Sequence, residues 1–159
     1  MPLEKMVLGD PRAVAETFAT SMAMEGLKFD FSLESLHIEI DRMLTRVEQN
    51  TSSVPLRLDE LCGLDADVVL AAYIGETLCR LFNGVWCGEF HLDSTSNFYT
   101  SGVKFGGYSY SPIHFISYRL NNGPCEGPFT EHIDKVLAKI QHANRWGWLK
   151  NMANNLFNY

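Results

Sequence analysis

Hydrophobic residues in the first third of the chain recur every three or four positions, which is the spacing of amphipathic helices. The first predicted helix begins after Asp10, a good capping residue, has Pro11 in its first turn and ends at Gly26. A second helix is predicted to follow the cap residue Ser32 and to end before a loop at residues 49–53. The apolar stripe of the first helix is predicted to be Val14, Phe18 and Met22. The apolar stripe of the second helix is predicted to be Leu33, Leu36, Ile40, Leu44 and Val47.

The same periodicity predicts two further helices in the second part of the chain. One begins after Asp65 and ends at Gly84, which we expect to adopt the left-handed conformation common at helix ends. The other is long and begins at Pro128, and a shorter helix is predicted to follow Gly147. The apolar face of the long helix is predicted to comprise Phe129, Ile133, Val136, Leu137 and Ile140.

Strands are predicted between these two helices, because β-branched, aromatic and alternating residues replace the helical periodicity. The first strand covers residues 85–92. Residues 103–110 contain the pair Gly106-Gly107 between two short apolar runs, which predicts a hairpin or a bulge. A further strand is predicted over residues 113–120.

The order of these elements predicts a single α+β domain over residues 1–159. We expect N-terminal helices, a mainly antiparallel sheet of three or four strands and a long C-terminal helix packed on that sheet. The composition is that of a globular protein, with 46% hydrophobic and 20% charged residues. The N-terminus lacks the pattern of a signal peptide, and no segment is apolar enough to span a membrane. We therefore expect a cytoplasmic protein that does not bind membranes.

Charge is spread unevenly along the chain. Residues 1–76 contain 14 acidic and 6 basic residues, a net charge of −8, whereas residues 77–159 contain 5 acidic and 7 basic residues, a net charge of +2. An acidic half repels phosphate groups, so no nucleic acid partner is expected. The same half favours a basic protein partner. The alternative is a solvated acidic surface that only improves solubility.

Candidate contacts for such a partner come from two regions. Glu34, Glu39 and Asp41 are acidic residues of the second predicted helix, and they would face a basic surface. Tyr108 and Tyr110 belong to the aromatic group in the predicted sheet, and Tyr is enriched at protein interfaces. A further interpretation is a structural subunit of a homo-oligomer, such as a homodimer, in which a second copy buries the aromatic face of the sheet.

Glu76 lies on the apolar stripe of the third predicted helix, which is a costly position for a charge. Arg80 follows one helical turn later, and Trp86 lies just past the end of the helix. These neighbours predict a structural clasp that ties the helix to the following strand. The alternative is a catalytic acid or base with a raised pKa, in a small hydrolase or transferase.

The cysteines and histidines give no recognisable site. Cys87, Glu89 and His91 share one face of a predicted strand, but four residues of strand span about 13 Å, too far for two ligands of one zinc ion. No metal and no cofactor are therefore expected. A Cys–His nucleophile remains an alternative for the enzyme hypothesis, although no known nucleophile motif is present. The cysteines lack a C-x-x-C pair and are expected to be free thiols, at Cys62, Cys79, Cys87 and Cys125.

The run Tyr-Ile-Gly-Glu at residues 73–76, followed by Gly84-x-Trp86 and by Pro128-Phe129, resembles a signature of small uncharacterised bacterial domains. The resemblance covers approximately residues 30–140. It implies a bacterial or phage origin and a domain without established catalysis, and some small bacterial proteins of this build act as immunity or adaptor proteins. We therefore expect a non-catalytic protein-binding domain, such as an immunity protein that neutralises a toxin or effector through its acidic surface.

Overall fold

The computed structural model describes residues 9–48, 64–90, 98–123 and 127–156, and of residues 46–48 and 148–156 it describes the backbone alone. The predictions for several positions lie outside this part of the chain: the loop at 49–53, Cys62, His91, Cys125 and the side chain of Val47.

The described residues form five α-helices and three strands. The helices are α1 (Pro11–Met24), α2 (Ile40–Glu48), α3 (Ala66–Phe82), α4 (Pro112–Asn122) and α5 (Phe129–Leu156). The strands β1 (Val85–Cys87), β2 (Gly102–Phe105) and β3 (Tyr108–Tyr110) form an antiparallel sheet in the order β1-β2-β3. A single π-helical turn, Ser35–Glu39, leads directly into α2. The predicted α+β architecture, with a long C-terminal helix on the sheet, is confirmed.

Helix α3 is the centre of the fold. Every residue from Asp67 to Leu78 is buried, because α1, α4 and the first two strands surround the helix. Helix α5 covers β2, β3 and the π turn. A helix that is apolar on nearly all sides is expected in a core position. Glu76 therefore lies in the interior of the protein rather than on a boundary between core and solvent.

The predicted starts of the first two helices are confirmed, as is the end of the first. The Asp10 carboxylate accepts a hydrogen bond from the backbone N–H of Arg12 at 2.9 Å. The Ser32 hydroxyl accepts one from the backbone N–H of Ser35 at 3.1 Å. Gly26 follows α1 with a φ of +77°, a conformation that most other residues avoid.

The predicted strand over residues 113–120 is wrong, because this segment is helix α4. Pro112 occupies the first turn of α4, where its missing N–H costs nothing. Ile113, Ile116 and Ser117 are buried, which is helical spacing rather than the alternation of a strand. The β-branched and aromatic content of the segment therefore reflects packing against α3, not strand formation.

Three boundaries also differ from prediction. The left-handed residue at the end of α3 is Asn83, with a φ of +55°, not Gly84. Gly84 is instead required for close packing, because a Cβ there would lie 2.4 Å from the Phe105 ring. Strand β1 ends at Cys87, since Gly88 leaves the strand with a φ of +98°. Helix α5 runs through Gly147 without interruption, so no separate C-terminal helix begins there.

Candidate functional site

The structure brings Glu76, Arg80 and Trp86 together at the junction of α3 and β1. Glu76 is 6% exposed, and both of its carboxylate oxygens accept hydrogen bonds. Its Oε1 accepts from Nε of Arg80 at 2.8 Å, and its Oε2 accepts from the indole Nε1 of Trp86 at 3.1 Å. A buried carboxyl group needs such donors to offset the cost of its removal from water, and the junction supplies two.

Gly75 is the residue that lets Trp86 reach Glu76. A Cβ at position 75 would lie 2.3 Å from the Trp86 ring, so a side chain there is incompatible with the observed packing. Gly75 and Glu76 therefore have different roles at the junction. Gly75 makes space for the Trp86 indole, and Glu76 accepts a hydrogen bond from the indole N–H.

Arg80 extends this cluster to the protein surface. Its Nη2 donates to Oε1 of Glu16 on α1 at 2.7 Å. Its guanidinium lies 3.8 Å from the centre of the Phe31 ring, a cation–π contact. Phe31 has a φ of +58°, which is strained for an aromatic residue. Arg80 therefore connects α3 to α1 and to the segment before the π turn.

Tyr73 lies one turn before Glu76 and anchors the same segment from inside the core. Its hydroxyl accepts from the backbone N–H of Phe31 at 3.0 Å and shares a 2.6 Å hydrogen bond with the Ser35 hydroxyl. Burial raises the pKa of Tyr73, so the side chain stays neutral at physiological pH. The rings of Phe18, Phe29 and Phe31 pack around it. The contacts of Tyr73 are those of a packing residue.

The chemistry of this region favours a structural role over catalysis. Both carboxylate oxygens of Glu76 are hydrogen-bonded, and the carboxylate lies inside the packed junction. Burial, followed by the nearby Glu76, raises the pKa of Cys79 to about 12, so its thiol is protonated and a poor nucleophile. Cys87 donates through Sγ to the carbonyl of Gly102 at 3.4 Å. Every buried side-chain nitrogen or oxygen in the described part of the chain has a hydrogen-bond partner.

The described histidines and acidic residues do not form a metal site. Across residues 9–48, 64–90, 98–123 and 127–156, no group of three His, Cys, Asp or Glu side chains is arranged to hold a metal ion. The histidines have other contacts: His37 with Asp134, His114 with Tyr99, His132 with Tyr110 and His142 with Trp146.

The three acidic residues proposed as partner contacts lie in different environments. Glu34 is exposed and pairs with Lys28 at 2.8 Å. Glu39 is buried, and its Oε1 accepts from Arg42 at 2.9 Å. Asp41 is half-buried and faces α5. Glu34 is therefore the one of the three that a partner can reach without disturbing the fold.

Asp41 caps helix α5. Its Oδ1 accepts from the backbone N–H of Phe129 at 2.6 Å, and its Oδ2 accepts from that of Thr130 at 2.9 Å. The Thr130 hydroxyl shares its proton between Oδ2 of Asp41 and the carbonyl of His37 in the π turn. A carboxylate at a helix N-terminus satisfies free N–H groups and complements the helix dipole. Asp41 thus holds the start of α5 against α2.

The two tyrosines proposed as anchors lie beneath α5. Tyr110 is buried, and its hydroxyl shares a 3.0 Å hydrogen bond with Nε2 of His132. Tyr108 is half-buried, and Nζ of Lys139 lies 5.9 Å from its ring centre. The covered face of the sheet therefore contributes little aromatic surface to an interface.

Three exposed apolar residues that the sequence patterns did not predict lie in the segment from the end of α1 to the π turn. Met24 is 85% exposed, Leu33 38% and Ile38 39%. Leu33 was predicted to be buried and is not. Leu33 precedes the π turn, and the buried stripe of this segment is Leu36, Ile40 and Leu44, which keep the predicted spacing of four.

Comparisons with known proteins add no match. No protein-family model, no curated protein and no solved structure matches this chain. The resemblance to small bacterial domains stays a prediction from the motifs. Within the part of the chain that the structure describes, no helix is both long and apolar enough to cross a membrane.

Proposed function

We propose that this protein is a non-catalytic protein-binding domain whose binding surface is the N-terminal corner, defined here as Met24, Glu25, Asp30, Leu33, Glu34 and Ile38. The observation that carries the proposal is the exposure of three large apolar side chains within 15 residues, in a segment rich in exposed carboxylates. Exposed apolar side chains among charged residues are found at interaction sites. A bacterial immunity or adaptor protein acting in the cytoplasm is the concrete form that we propose.

The charges of the corner indicate a basic partner. Glu25, Asp30 and Glu34 are exposed, and Lys28 is the basic residue between them. Lys28 lies 2.8 Å from Glu34 and 3.7 Å from Asp30, so the segment keeps a net negative charge. A partner with lysine or arginine around an apolar pocket would complement this arrangement and would associate faster at low salt.

The π turn supports the same location. Single π turns within helices are often found at functional sites. Ile38 lies in this turn, and Leu33 lies two residues before the turn begins. The hydrogen bond from Thr130 to the carbonyl of His37 fixes the turn against α5, so the apolar side chains are presented on a rigid base. Preorganised contacts cost less entropy on binding.

The hydrolase or transferase alternative receives less support. It requires Glu76 or a Cys–His pair to reach a substrate. Glu76 is 6% exposed with both oxygens hydrogen-bonded, and the Cys79 thiol is protonated at neutral pH. No described feature favours that alternative over binding.

The proposal is tested by affinity capture from the organism that encodes the protein. The wild type is compared with a corner variant that carries Met24→Ser, Leu33→Ser and Ile38→Ser. The matched control carries Leu81→Ser, Val85→Ser and Tyr118→Ser, which are also exposed large apolar residues but lie elsewhere. We expect one protein to be enriched by the wild type and the control and to be lost with the corner variant.

The captured protein is then purified and titrated against all three forms by calorimetry. We expect the corner variant to bind at least about 30-fold more weakly, the loss typical of apolar hot-spot residues. Glu34→Lys should slow association and flatten its salt dependence. Equal affinity of the corner variant and the control would show that the corner is not the binding surface.

A further inference from the structure

The end of the chain has the opposite charge to the rest. Residues 135–159 contain four basic residues and no Asp or Glu, a net charge of +4. The whole chain has a net charge of −6, so residues 1–134 have a net charge of −10. A basic segment within an acidic protein is a distinct electrostatic feature, and its described part, residues 135–156, lies on α5.

Four exposed side chains of this part of α5 share one face of the helix. Lys135, Lys139, His142 and Trp146 are spaced by four, three and four residues, and all are exposed. This spacing places side chains above one another along a helix over about 16 Å. Arg145 lies beside them and is also exposed. These five residues are called the α5 basic face below.

The α5 basic face also contains an exposed aromatic residue. Trp146 is 60% exposed, and its ring meets the edge of His142 at a centroid distance of 5.9 Å. Large exposed Trp residues are frequent hot spots of protein interfaces.

We propose that the α5 basic face binds an acidic protein segment that packs an apolar side chain against the exposed ring of Trp146. The charge complementarity is local, since the exposed Lys135, Lys139 and Arg145 would pair with carboxylates while the Trp146 ring contacts the apolar anchor. A long nucleic acid would meet the negative charge of the rest of the molecule, whereas a short acidic segment would not. The protein would then bind two partners of opposite charge, one at the N-terminal corner and one at α5.

The experiment uses the full chain and synthetic peptides of about 18 residues, long enough for about five helical turns. The main probe is a fluorescent amphipathic Glu/Leu peptide. A poly-Glu peptide tests charge alone, a Lys/Leu peptide tests the opposite charge, and a single-stranded oligo-dT tests nucleic acid. We expect the Glu/Leu peptide to bind at least about tenfold more tightly than each of the other probes, because it supplies both carboxylates and apolar anchors.

Variants then locate the site. Trp146→Ala and Arg145→Glu should each weaken binding of the Glu/Leu peptide by about tenfold or more. Tyr118→Ala and Arg12→Glu are the matched controls, since both residues are exposed and lie outside α5. Neither control should change the affinity, and the corner variant should also bind the peptide normally.

Several outcomes would overturn the proposal. They are the absence of binding, equal binding by Trp146→Ala, tighter binding of oligo-dT, and self-association of the protein that Trp146→Ala abolishes. The last result would assign the face to a second copy of this chain. Because the corner variant retains α5, failure of this proposal is distinguishable from failure of the corner as a binding surface.

Discussion

Two carboxylates join distant elements of this protein, and they do so in different ways. Glu76 is buried in α3 and accepts hydrogen bonds from the side chains of Arg80 and Trp86. Asp41 is half-buried at the start of α2 and accepts from backbone N–H groups at the start of α5. Glu76 holds the side chains of Arg80 and Trp86 in place, whereas Asp41 caps the N-terminus of α5.

The difference lies in what remains when the carboxylate is removed. Without Glu76, the indole N–H of Trp86 is left in the core with no acceptor, and Arg80 loses one of its two anionic partners. Without Asp41, the free N–H groups lie at a partly exposed helix end, where water can replace the lost acceptor. The cost of removing a buried acceptor should therefore exceed that of removing a cap.

The largest expected effect is that of Glu76→Leu, which should lower the free energy of unfolding by about 3 kcal/mol. Glu76→Gln should cost about 1–2 kcal/mol, because its amide oxygen still accepts one hydrogen bond. Urea denaturation of both variants and the wild type measures these changes in the free energy of unfolding. Equal destabilisation by Leu and Gln would show that the hydrogen bonds of Glu76 do not hold the junction. Severe and equal loss of function in both, with an unchanged thermal midpoint, would return Glu76 to the catalytic candidates.

A smaller effect is expected at the α5 cap. Asp41→Ala should cost about 1–2 kcal/mol, and Asp41→Asn about half of that, because Asn keeps an acceptor but loses the charge that complements the helix dipole. Denaturation monitored by circular dichroism gives both values. The comparison between the two carboxylates would fail if Asp41→Ala cost more than Glu76→Leu.

The α5 interface should also respond to pH through His132. Burial, and then the charges of Lys135 and Lys139, lower the pKa of His132 from 6.5 to about 4. Between these pH values the unfolded chain binds more protons than the folded one, so stability should fall as the pH falls from 6.5 towards 4. Thermal midpoints across this range measure the effect. His132→Phe should reduce the pH dependence, and an unchanged slope in this variant would assign the effect to other groups.

The smallest effect is expected at Glu34, an exposed carboxylate paired with Lys28. Glu34→Gln should leave the thermal midpoint unchanged within error, because exposed ion pairs contribute little to stability. The same variant should weaken binding of a basic partner at the N-terminal corner. A clear drop in the midpoint would mean that Glu34, like Glu76 and Asp41, has a structural role.

Sequence patterns predicted the parts of the structure whose partners are close along the chain. Arg80 and Trp86 lie four and ten residues after Glu76, so their meeting at a helix–strand junction was foreseeable. The cap at Asp41 was not, because Phe129 lies 88 residues away and only the tertiary fold brings the two together.

Two further failures concern α4 and Leu33. Helix α4 is rich in β-branched and aromatic residues, and packing against α3 outweighs its local preference for a strand. Leu36, Ile40 and Leu44 are buried at the predicted spacing, whereas Leu33, which precedes the π turn, is exposed. A helical repeat alone does not distinguish Leu33 from the buried positions, so the N-terminal corner became visible only in three dimensions.

The long-range cap of α5 has a consequence for hydrogen exchange. The amide protons of Phe129 and Thr130 are protected by a carboxylate that belongs to another helix. Their protection factors therefore report the docking of α2 rather than the helicity of α5 itself. If a partner binds the neighbouring π turn and displaces it from α5, deuterium uptake at these two amides should become faster. The change would then be detected far along the chain from the residues that the partner contacts.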